Sequence, residues 1–290
     1  MLRILRYFIA CFRALRDLPF RLNQADPSQV HLSLERIRGN PRYQDGKCLT
    51  LSGHKVYSQC DEDGMIREIF QRIGQTNKIF VEFGVGDGLE NNTLALLFDG
   101  WEGLWIEGSE KLTSRIREGL KYTIDTGRLT VTNAFITREN INELISSAID
   151  KAEIDLLAID MDGNDFHVFE SISCINPRVV VIEYNAKFPP PMQYCMSYDE
   201  GHKWSKDDNF GASLKFLEEG FSKKGYCLVG CSVTGANAFF VRQDLVADRF
   251  LEPYSAETHY EPARYFLGCL RSGQNPSFKT LDRSMAIRGL

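Results

Sequence analysis

The chain lacks a long apolar run, a cysteine framework and an excess of positive charge. Its longest uncharged stretch near the N-terminus runs only from Tyr7 to Phe12, whereas a membrane-spanning helix needs about 20 apolar residues. The net charge of −5 argues against a general nucleic-acid-binding protein. The eight cysteines form no CxxC pair. This excludes the common zinc-site spacings and favours reduced thiols in a cytoplasmic protein.

The length of 290 residues and the composition of the chain predict its domain organisation. Hydrophobic residues make up 43% of the chain and charged residues 25%, values that are typical of a soluble globular protein. We expect an N-terminal amphipathic helix and linker over residues 1–50. A single large domain over residues 51–245 and a C-terminal extension over 246–290 follow.

A stretch of alternating glycines follows an apolar segment in the first third of the chain. Residues 79–83 are apolar except for Glu82, and the glycines are Gly84, Gly86 and Gly88. The pattern predicts a strand, a tight loop and then a helix. Because glycine has no β-carbon, such a loop lets a ligand approach the backbone closely.

The spacing of these glycines distinguishes between two cofactors. A dinucleotide-binding fingerprint has the pattern GxGxxG, which would require a glycine at the position of Leu89. The GxGxG pattern, with Glu82 two residues before it, resembles the loop of Rossmann-like methyltransferases that bind S-adenosylmethionine (SAM). A carboxylate repels a pyrophosphate but attracts the ammonium and sulfonium charges of SAM. The sequence therefore favours SAM over a nicotinamide cofactor, and a glycine turn without a ligand stays as a third alternative.

Strands and helices alternate regularly between residues 79 and 242. Apolar strands are typical of a parallel sheet covered on both faces, and repeated βα units predict a doubly wound α/β fold. A turn at Thr234 and Gly235 predicts a β-hairpin that ends a mostly parallel, Rossmann-like methyltransferase sheet. Ligands bind beyond the carboxyl ends of such strands. Four acids fall at those ends: Glu82, Glu107, Asp160 and Glu183.

Two segments outside the regular pattern leave alternatives open. The first 20 residues place four arginines on one side of a helical wheel and apolar side chains on the rest. They predict a helix that lies on a membrane surface as a peripheral contact or docks on the domain or a partner chain. Residues 186–210, which contain His202, form a long insert without helical or strand periodicity. They are predicted to be either an ordered lid or acceptor site or a flexible loop. The sequence leaves the oligomeric state open, with a homo-oligomer as one alternative.

Several short blocks carry a resemblance to a known family. The blocks SQCDEDG (58–64), VEFGVGDG, GLWIEGS, LLAIDMDGNDF and VVVIEYN are similar to those of FkbM-type methyltransferases, over roughly residues 55–242. The resemblance implies SAM-dependent O-methylation of a hydroxyl on a sugar, glycan or related small molecule, as in polysaccharide modification. The family's acid-glycine-acid block has one additional residue here, Asn164, between Gly163 and Asp165.

Methyl transfer to an alcohol requires alignment of the acceptor oxygen and removal of its proton. One route uses a divalent metal held by Asp160 or Asp162 with Glu183 and Asn185, since oxygen ligands suit Mg²⁺. The other uses Asp160, Asp162 or His202 as a general base without a metal. Asp162 also stands where it would cap the following helix.

The predicted cofactor contacts combine the glycine loop, the strand ends and the family blocks. They are Gln59, Glu82, Gly84, Gly86, Gly88, Asn92, Glu107, Gly108, Asn133, Ala134 and Asp160. For Glu107 the expected partners are ribose hydroxyls, a device that SAM and NAD proteins share. Two other functions stay open: a non-catalytic methyltransferase-like binding module in a glycan-assembly complex, and a nicotinamide-dependent oxidoreductase.

Overall fold

The computed structural model describes residues 27–269 and 276–281 of the chain. One β-sheet organises these residues, and its first strand spans residues 79–83, as the sequence predicts. The strands are β1 Ile79–Phe83, β2 Glu102–Glu107, β3 Leu129–Asn133, β4 Glu153–Ile159, β5 Asn176–Glu183, β6 Tyr226–Cys231 and β7 Asn237–Arg242.

The strand order is β3-β2-β1-β4-β5-β7-β6. The first five strands pair in parallel, whereas β7 runs antiparallel to both β5 and β6. The predicted fold class, a mostly parallel α/β sheet that ends in a hairpin, is confirmed. The chain moves from β1 to β2 on one side and later returns to place β4 on the other side of β1. This reversal opens a crevice at the carboxyl ends of β1 and β4, where doubly wound folds bind ligands.

Helices connect the strands. The helix between β3 and β4, for example, has only six residues. The helices are α1 Pro27–Arg38, α2 Glu62–Ile73, α3 Leu94–Phe98, α4 Glu110–Gly119, α5 Lys121–Asp125, α6 Ile141–Ser146, α7 Asp165–Ser171, α8 Leu214–Lys223, α9 Gln243–Val246 and α10 Ala256–His259. Short 3₁₀ turns occur at Pro41–Tyr43, Thr50–Ser52 and Tyr265–Cys269.

Two apolar clusters cover the two faces of the sheet. Val180 and Ile182 of β5 belong to one cluster, and the alternating Val179 and Val181 belong to the other. All four side chains are fully buried. Because successive strand residues point to opposite faces, a strand buried on both faces must be apolar at every position. This explains the continuous apolar runs of the sequence.

Residues that precede and follow the sheet domain contact each other. Tyr43 donates a hydrogen bond to the buried Glu261 carboxylate at 2.9 Å, and Arg42 donates to the carbonyl oxygens of Thr258 and Tyr260. The predicted domain boundaries near residues 50 and 245 stay a prediction. The predicted amphipathic helix of residues 1–20 lies outside the described residues. None of the helices in the described ranges combines the length and apolar character of a bilayer-spanning segment.

Candidate active site

A cavity of about 680 Å³ opens at the carboxyl ends of β1, β2, β4 and β5. Its volume lies within the range of small-molecule sites. Twelve of the residues predicted from the sequence line it. They are Gln59, Glu82, Gly84, Gly86, Asn92, Glu107, Gly108, Ala134, Asp160, Asp162, Glu183 and His202. The strand ends thus bring the predicted residues together, because parallel strands carry their carboxyl ends to one edge of the sheet.

Glu82 on β1 fixes the polar segment that leads into α3. The backbone N–H of Asn92 donates to Glu82 Oε1 at 2.7 Å, and that of Thr93 donates to Oε2 at 3.1 Å. The hydroxyl of Thr93 also donates to Oε2. Burial raises the pKa of Glu82 to about 7, although these hydrogen bonds act in the opposite direction. Glu82 therefore occupies, with its own carboxylate, the amides at a helix start that a bound phosphate would otherwise use.

The three glycines of the loop have different roles. All three have φ between +58° and +72°, a region that other residues enter only at a cost. A β-carbon on Gly84 would lie 1.7 Å from the carbonyl oxygen of Asp160, and one on Gly86 would meet no atom within 4 Å. Gly88 faces Ile116 and Trp105 in the core and does not line the cavity. The structure therefore places only Gly84 and Gly86 at the predicted cofactor site.

Glu107 at the end of β2 joins the glycine loop to the next strand. The Gly86 N–H donates to Glu107 Oε2 at 3.0 Å, and the Ser109 N–H donates to Oε1 at 2.8 Å. Asn133 does not line the cavity; its side-chain amide donates to the Glu107 carbonyl at 2.9 Å. It supports the wall, whereas its neighbours Ala134 and Phe135 form the lining.

An apolar surface lies in the cavity near Glu107, and its largest residue, Phe135, is not among those predicted from the sequence. Phe135, with 49% of its surface exposed, lines the cavity with Leu112 and Ile106. A ring atom of Phe135 would lie 3.7 Å from a β-carbon on Gly108. Gly108 and Phe135 therefore lie close together, and the exposed Phe135 ring gives the cavity a flat apolar surface. An aromatic residue two positions beyond the end of β3 is the signal that could have identified this surface.

The SQCDEDG block forms the loop that carries Gln59 into the cavity. Asp63 Oδ2 accepts backbone hydrogen bonds from Val56, Tyr57 and Ser58, each at 2.7 Å. Glu62 is fully buried and accepts hydrogen bonds from the Cys60 N–H and the Asn237 side-chain amide. Glu62 and Asp63 thus hold the loop from within, and Gln59 lines the cavity.

Three acids meet at the ends of β4 and β5. One carboxylate oxygen from each of Asp160, Asp162 and Glu183 lies within 4.8 Å of the others. Burial, followed by repulsion from neighbouring acids, holds the pKa of Asp160 and of Glu183 well above the usual range. Glu183 Oε2 is buried without a hydrogen-bond partner. Such a group of acids is costly unless a cation or a proton-donating ligand joins it.

The inserted Asn164 and the following Asp165 shape the loop that holds these acids. Asp165 is 1% exposed and accepts hydrogen bonds from the N–H groups of Met161 and Gly163 at 2.9 and 2.8 Å. Asn164 donates to the Asp199 carbonyl at 2.7 Å. Asp165 therefore serves the fold of the loop, and Asn164 fastens the segment of residues 186–210 over it.

His202 belongs to that segment and lies over the acidic loop. Its Nε2 atom is 3.1 Å from the carbonyl oxygen of Asp162, and a β-carbon on Gly163 would lie 2.3 Å from its ring. Arg138 stacks on Tyr198 with 3.7 Å between its guanidinium carbon and the ring centre. The segment is thus folded onto the domain, and His202 is its one residue that lines the cavity.

Asn185 lies outside the acidic group, although the sequence suggested it as a metal ligand. Its amide nitrogen donates to the carbonyl oxygens of Asp208 and Phe210 at 2.9 and 3.1 Å. Its amide oxygen accepts from the N–H of Lys187. Residue 185 is two positions beyond the end of β5, where the chain has already turned toward residues 208–210. The structure thus offers Asp162, not Asn185, as the third oxygen donor. His167 contacts the Met196 carbonyl at 2.7 Å and does not line the cavity.

Two asparagines of the cavity wall also have polar atoms without partners. Both amide atoms of Asn91, a residue 6% exposed, are buried without hydrogen-bond partners, as is the amide oxygen of Asn237. Both residues line the cavity. Because buried polar groups are almost always paired in native structures, these atoms are suited to a ligand that carries both donors and acceptors.

The cavity wall is strongly acidic. Seven carboxylate residues line it: Glu82, Asp87, Glu90, Glu107, Asp160, Asp162 and Glu183. No lysine or arginine is among the lining residues, all of which belong to the described part of the chain. Lys55 pairs with Glu90 with a 2.6 Å contact. This excess of acidic over basic side chains favours a cationic ligand over a phosphorylated one.

No protein-family model matches the chain, and no curated protein is similar to it in sequence. The FkbM-type interpretation therefore stays a prediction. Solved structures that are similar include the methyltransferase domain of bacterial CtHen1-C, at 15% identity and a TM-score of 0.41 (63% of this chain, 97% of that chain).

Two further solved structures are the glycopeptide N-methyltransferase MtfA with SAM and a putative caffeoyl-CoA O-methyltransferase from Staphylococcus aureus. MtfA has 14% identity and a TM-score of 0.40, and the match covers 69% of this chain and 98% of that chain. The putative O-methyltransferase has 13% identity and a TM-score of 0.43, with 80% and 99% covered. Similarity at these levels does not assign a reaction or a substrate to this chain.

Proposed function

We propose that this protein is a SAM-dependent methyltransferase that acts on a hydroxyl group of a sugar, glycan or related small molecule. The acidic cavity at the switch point of the sheet carries this proposal. A pyrophosphate there would meet seven carboxylate residues and no lysine or arginine side chain in the lining. It would also find the amides of Asn92 and Thr93 already taken by Glu82. A cofactor with ammonium and sulfonium charges gains from the same surroundings.

The residues that line the cavity are suited to each part of such a cofactor. The exposed ring of Phe135 would stack on the adenine ring, and Glu107 would accept from the ribose hydroxyls. The unpaired amide of Asn91 would hold the carboxylate and ammonium groups of the methionine end, beside Glu82. Asp160, Asp162 and Glu183 line the same cavity and would face the acceptor.

The acceptor hydroxyl is then expected to bind among these three acids. When bound, SAM supplies an electrophilic methyl group, so the protein must orient the acceptor oxygen and remove its proton. A carboxylate with a raised pKa is suited to accept a proton near neutral pH. Burial and the neighbouring acids raise the pKa of Asp160 and of Glu183, and His202 lies over the loop that carries Asp162. Asp162 is the third carboxylate of this group, with an oxygen atom within 4.8 Å of the other two.

The donor set of the three acids also fits a divalent metal. Three carboxylates provide only oxygen ligands, which suit Mg²⁺, and the unpaired Glu183 Oε2 atom offers one of them. Asp160, Asp162 and Glu183 would hold the ion, which would lower the pKa of a bound hydroxyl. The same residues would also relieve their mutual repulsion by binding it.

We expect methyl transfer to a hydroxylated acceptor to depend on a divalent ion. The measurement is transfer of a labelled methyl group from SAM to a panel of sugars and glycans. It is made on the untreated protein, after EDTA treatment, and after addition of excess Mg²⁺. Activity should fall to background after EDTA and return with Mg²⁺. Full activity in EDTA would contradict the metal route and leave the carboxylates as the base. The dependence of kcat on pH would then follow their titration.

A further inference from the structure

A second cavity lies beside α1, separate from the acidic one. It has a volume of about 340 Å³, near the lower end of the range for small-molecule sites. Its walls come from α1, the 3₁₀ turn at residues 50–52, the β6–β7 turn and the 3₁₀ turn at residues 265–269. The apolar part of the wall consists of Leu34, Ile37, Leu51, Val233 and Leu267.

One buried carboxylate faces this apolar space. Asp61 is 9% exposed and lines the cavity. Its Oδ2 atom accepts a hydrogen bond from the Val233 N–H at 3.0 Å, whereas its Oδ1 atom is buried without a partner. A β-carbon on Gly53 would lie 2.5 Å from Oδ2, so the chain leaves room for this carboxylate only because residue 53 is glycine. A buried oxygen without a partner is costly, and a donor within the cavity would remove this cost.

Three basic residues, Arg38, His54 and Lys55, also line this cavity, but none of them forms an ion pair with Asp61. Lys55 donates to the Gln59 carbonyl at 2.8 Å and contacts Glu90 at 2.6 Å. Arg38 contacts Glu35 at 3.5 Å. Among the ion pairs of residues 27–269 and 276–281, none includes Asp61. Burial, followed by the charge of Glu62, raises the pKa of Asp61 to about 8, so a cation bound at Oδ1 would favour the ionised carboxylate.

We propose that this second cavity binds a small organic cation, an ammonium group on an aliphatic or aromatic body. The ammonium donates to Asp61 Oδ1, and the body packs on the side chains of α1, Leu51 and Leu267. Charge complementarity selects the cationic end, and the apolar wall selects the body. The inference does not depend on the proposed methyltransferase function, because none of the proposed cofactor or acceptor residues lines this cavity.

The test is an NMR titration with n-hexylammonium chloride, which combines both features. Amide signals of Val233 and Leu267 report on the second cavity, and those of Gly86 and Asn92 report on the acidic cavity. The first pair should shift and saturate. Asp61→Asn keeps the shape and the acceptor for Val233, and it should weaken binding at this pair about tenfold or more, as expected for a lost charge-assisted hydrogen bond. The control Asp248→Asn, which removes an exposed charge, should bind as the wild type does.

A second comparison needs no variant. Neutral 1-hexanol has the same body as the probe, and it should bind to wild-type protein at least about tenfold more weakly. The proposal is overturned if hexylammonium leaves the Val233 and Leu267 signals unmoved. Equal affinity of the wild type for hexanol and hexylammonium, or equal affinity of Asp61→Asn and wild type for hexylammonium, would also overturn it.

Discussion

Replacing Gly84 with alanine is expected to destabilise the protein by about 3–5 kcal/mol and to abolish binding in the acidic cavity. The new β-carbon would lie 1.7 Å from the Asp160 carbonyl oxygen, so β1 and β4 could not keep their positions. The positive φ of residue 84 adds a further cost that any side chain brings. Equilibrium unfolding in urea measures the loss of stability, and calorimetry with SAM measures the loss of binding.

Gly127→Ala is the matched control for this effect. Gly127 also has a positive φ of 77°, but a β-carbon there would meet no atom within 4 Å. The control should therefore lose only about 1–2 kcal/mol, which is the backbone cost alone. If the two variants lose the same stability, the close approach of Gly84 to β4 does not hold the cavity together.

Replacing Asp160 with asparagine is expected to lower kcat by about 10²–10⁴-fold while SAM binding is kept. Asparagine has nearly the same shape but cannot accept a proton or hold a metal ion as a carboxylate does. The measurement is transfer of labelled methyl from SAM to the acceptor found in the sugar and glycan panel. The control is Asp248→Asn, which changes an exposed acid that does not line the cavity. This variant should keep the wild-type rate. An unchanged rate in Asp160→Asn would remove this carboxylate from the mechanism.

The same variant should be more stable than the wild type at high pH. Burial raises the pKa of Asp160 in the folded state, so the folded protein holds a proton that the unfolded chain releases. The stability of the wild type therefore falls as pH rises from the unfolded pKa of about 4 toward the higher folded pKa. Asp160→Asn removes this loss. Its stability advantage, measured by thermal unfolding in EDTA, should be larger at pH 8 than at pH 5. A stability gap that is independent of pH would contradict the raised pKa.

The sequence predicted the sheet well because burial on both faces leaves a direct trace in the residues. Val179 to Ile182 are all apolar and all fully buried, and acids mark the strand ends that form the cavity. The fold thus followed from strand length, the order of elements and turn residues, which are local properties of the chain. The glycine spacing likewise located the loop, since positive φ values fall at Gly84, Gly86 and Gly88.

The direction of individual side chains could not be obtained in the same way. Gly88 packs on Trp105, and Asn133 donates a hydrogen bond to the Glu107 carbonyl. Both contacts depend on a neighbouring element that the local sequence does not specify. Asn185 turns toward residues 208–210, which belong to a segment without helical or strand periodicity. Phe135 was missed for the converse reason: an apolar side chain in a loop resembles a core residue until the cavity beside it is known.

Calorimetry of the wild-type protein with SAM and with NAD⁺, in separate titrations, tests the central claim most directly. The acidic lining and the Glu82 carboxylate at the start of α3 predict that SAM binds with a dissociation constant of about micromolar size, in the usual range for enzyme substrates. NAD⁺ should give no binding heat under the same conditions. Binding of NAD⁺ without binding of SAM would contradict the account and identify the glycine loop as a dinucleotide site.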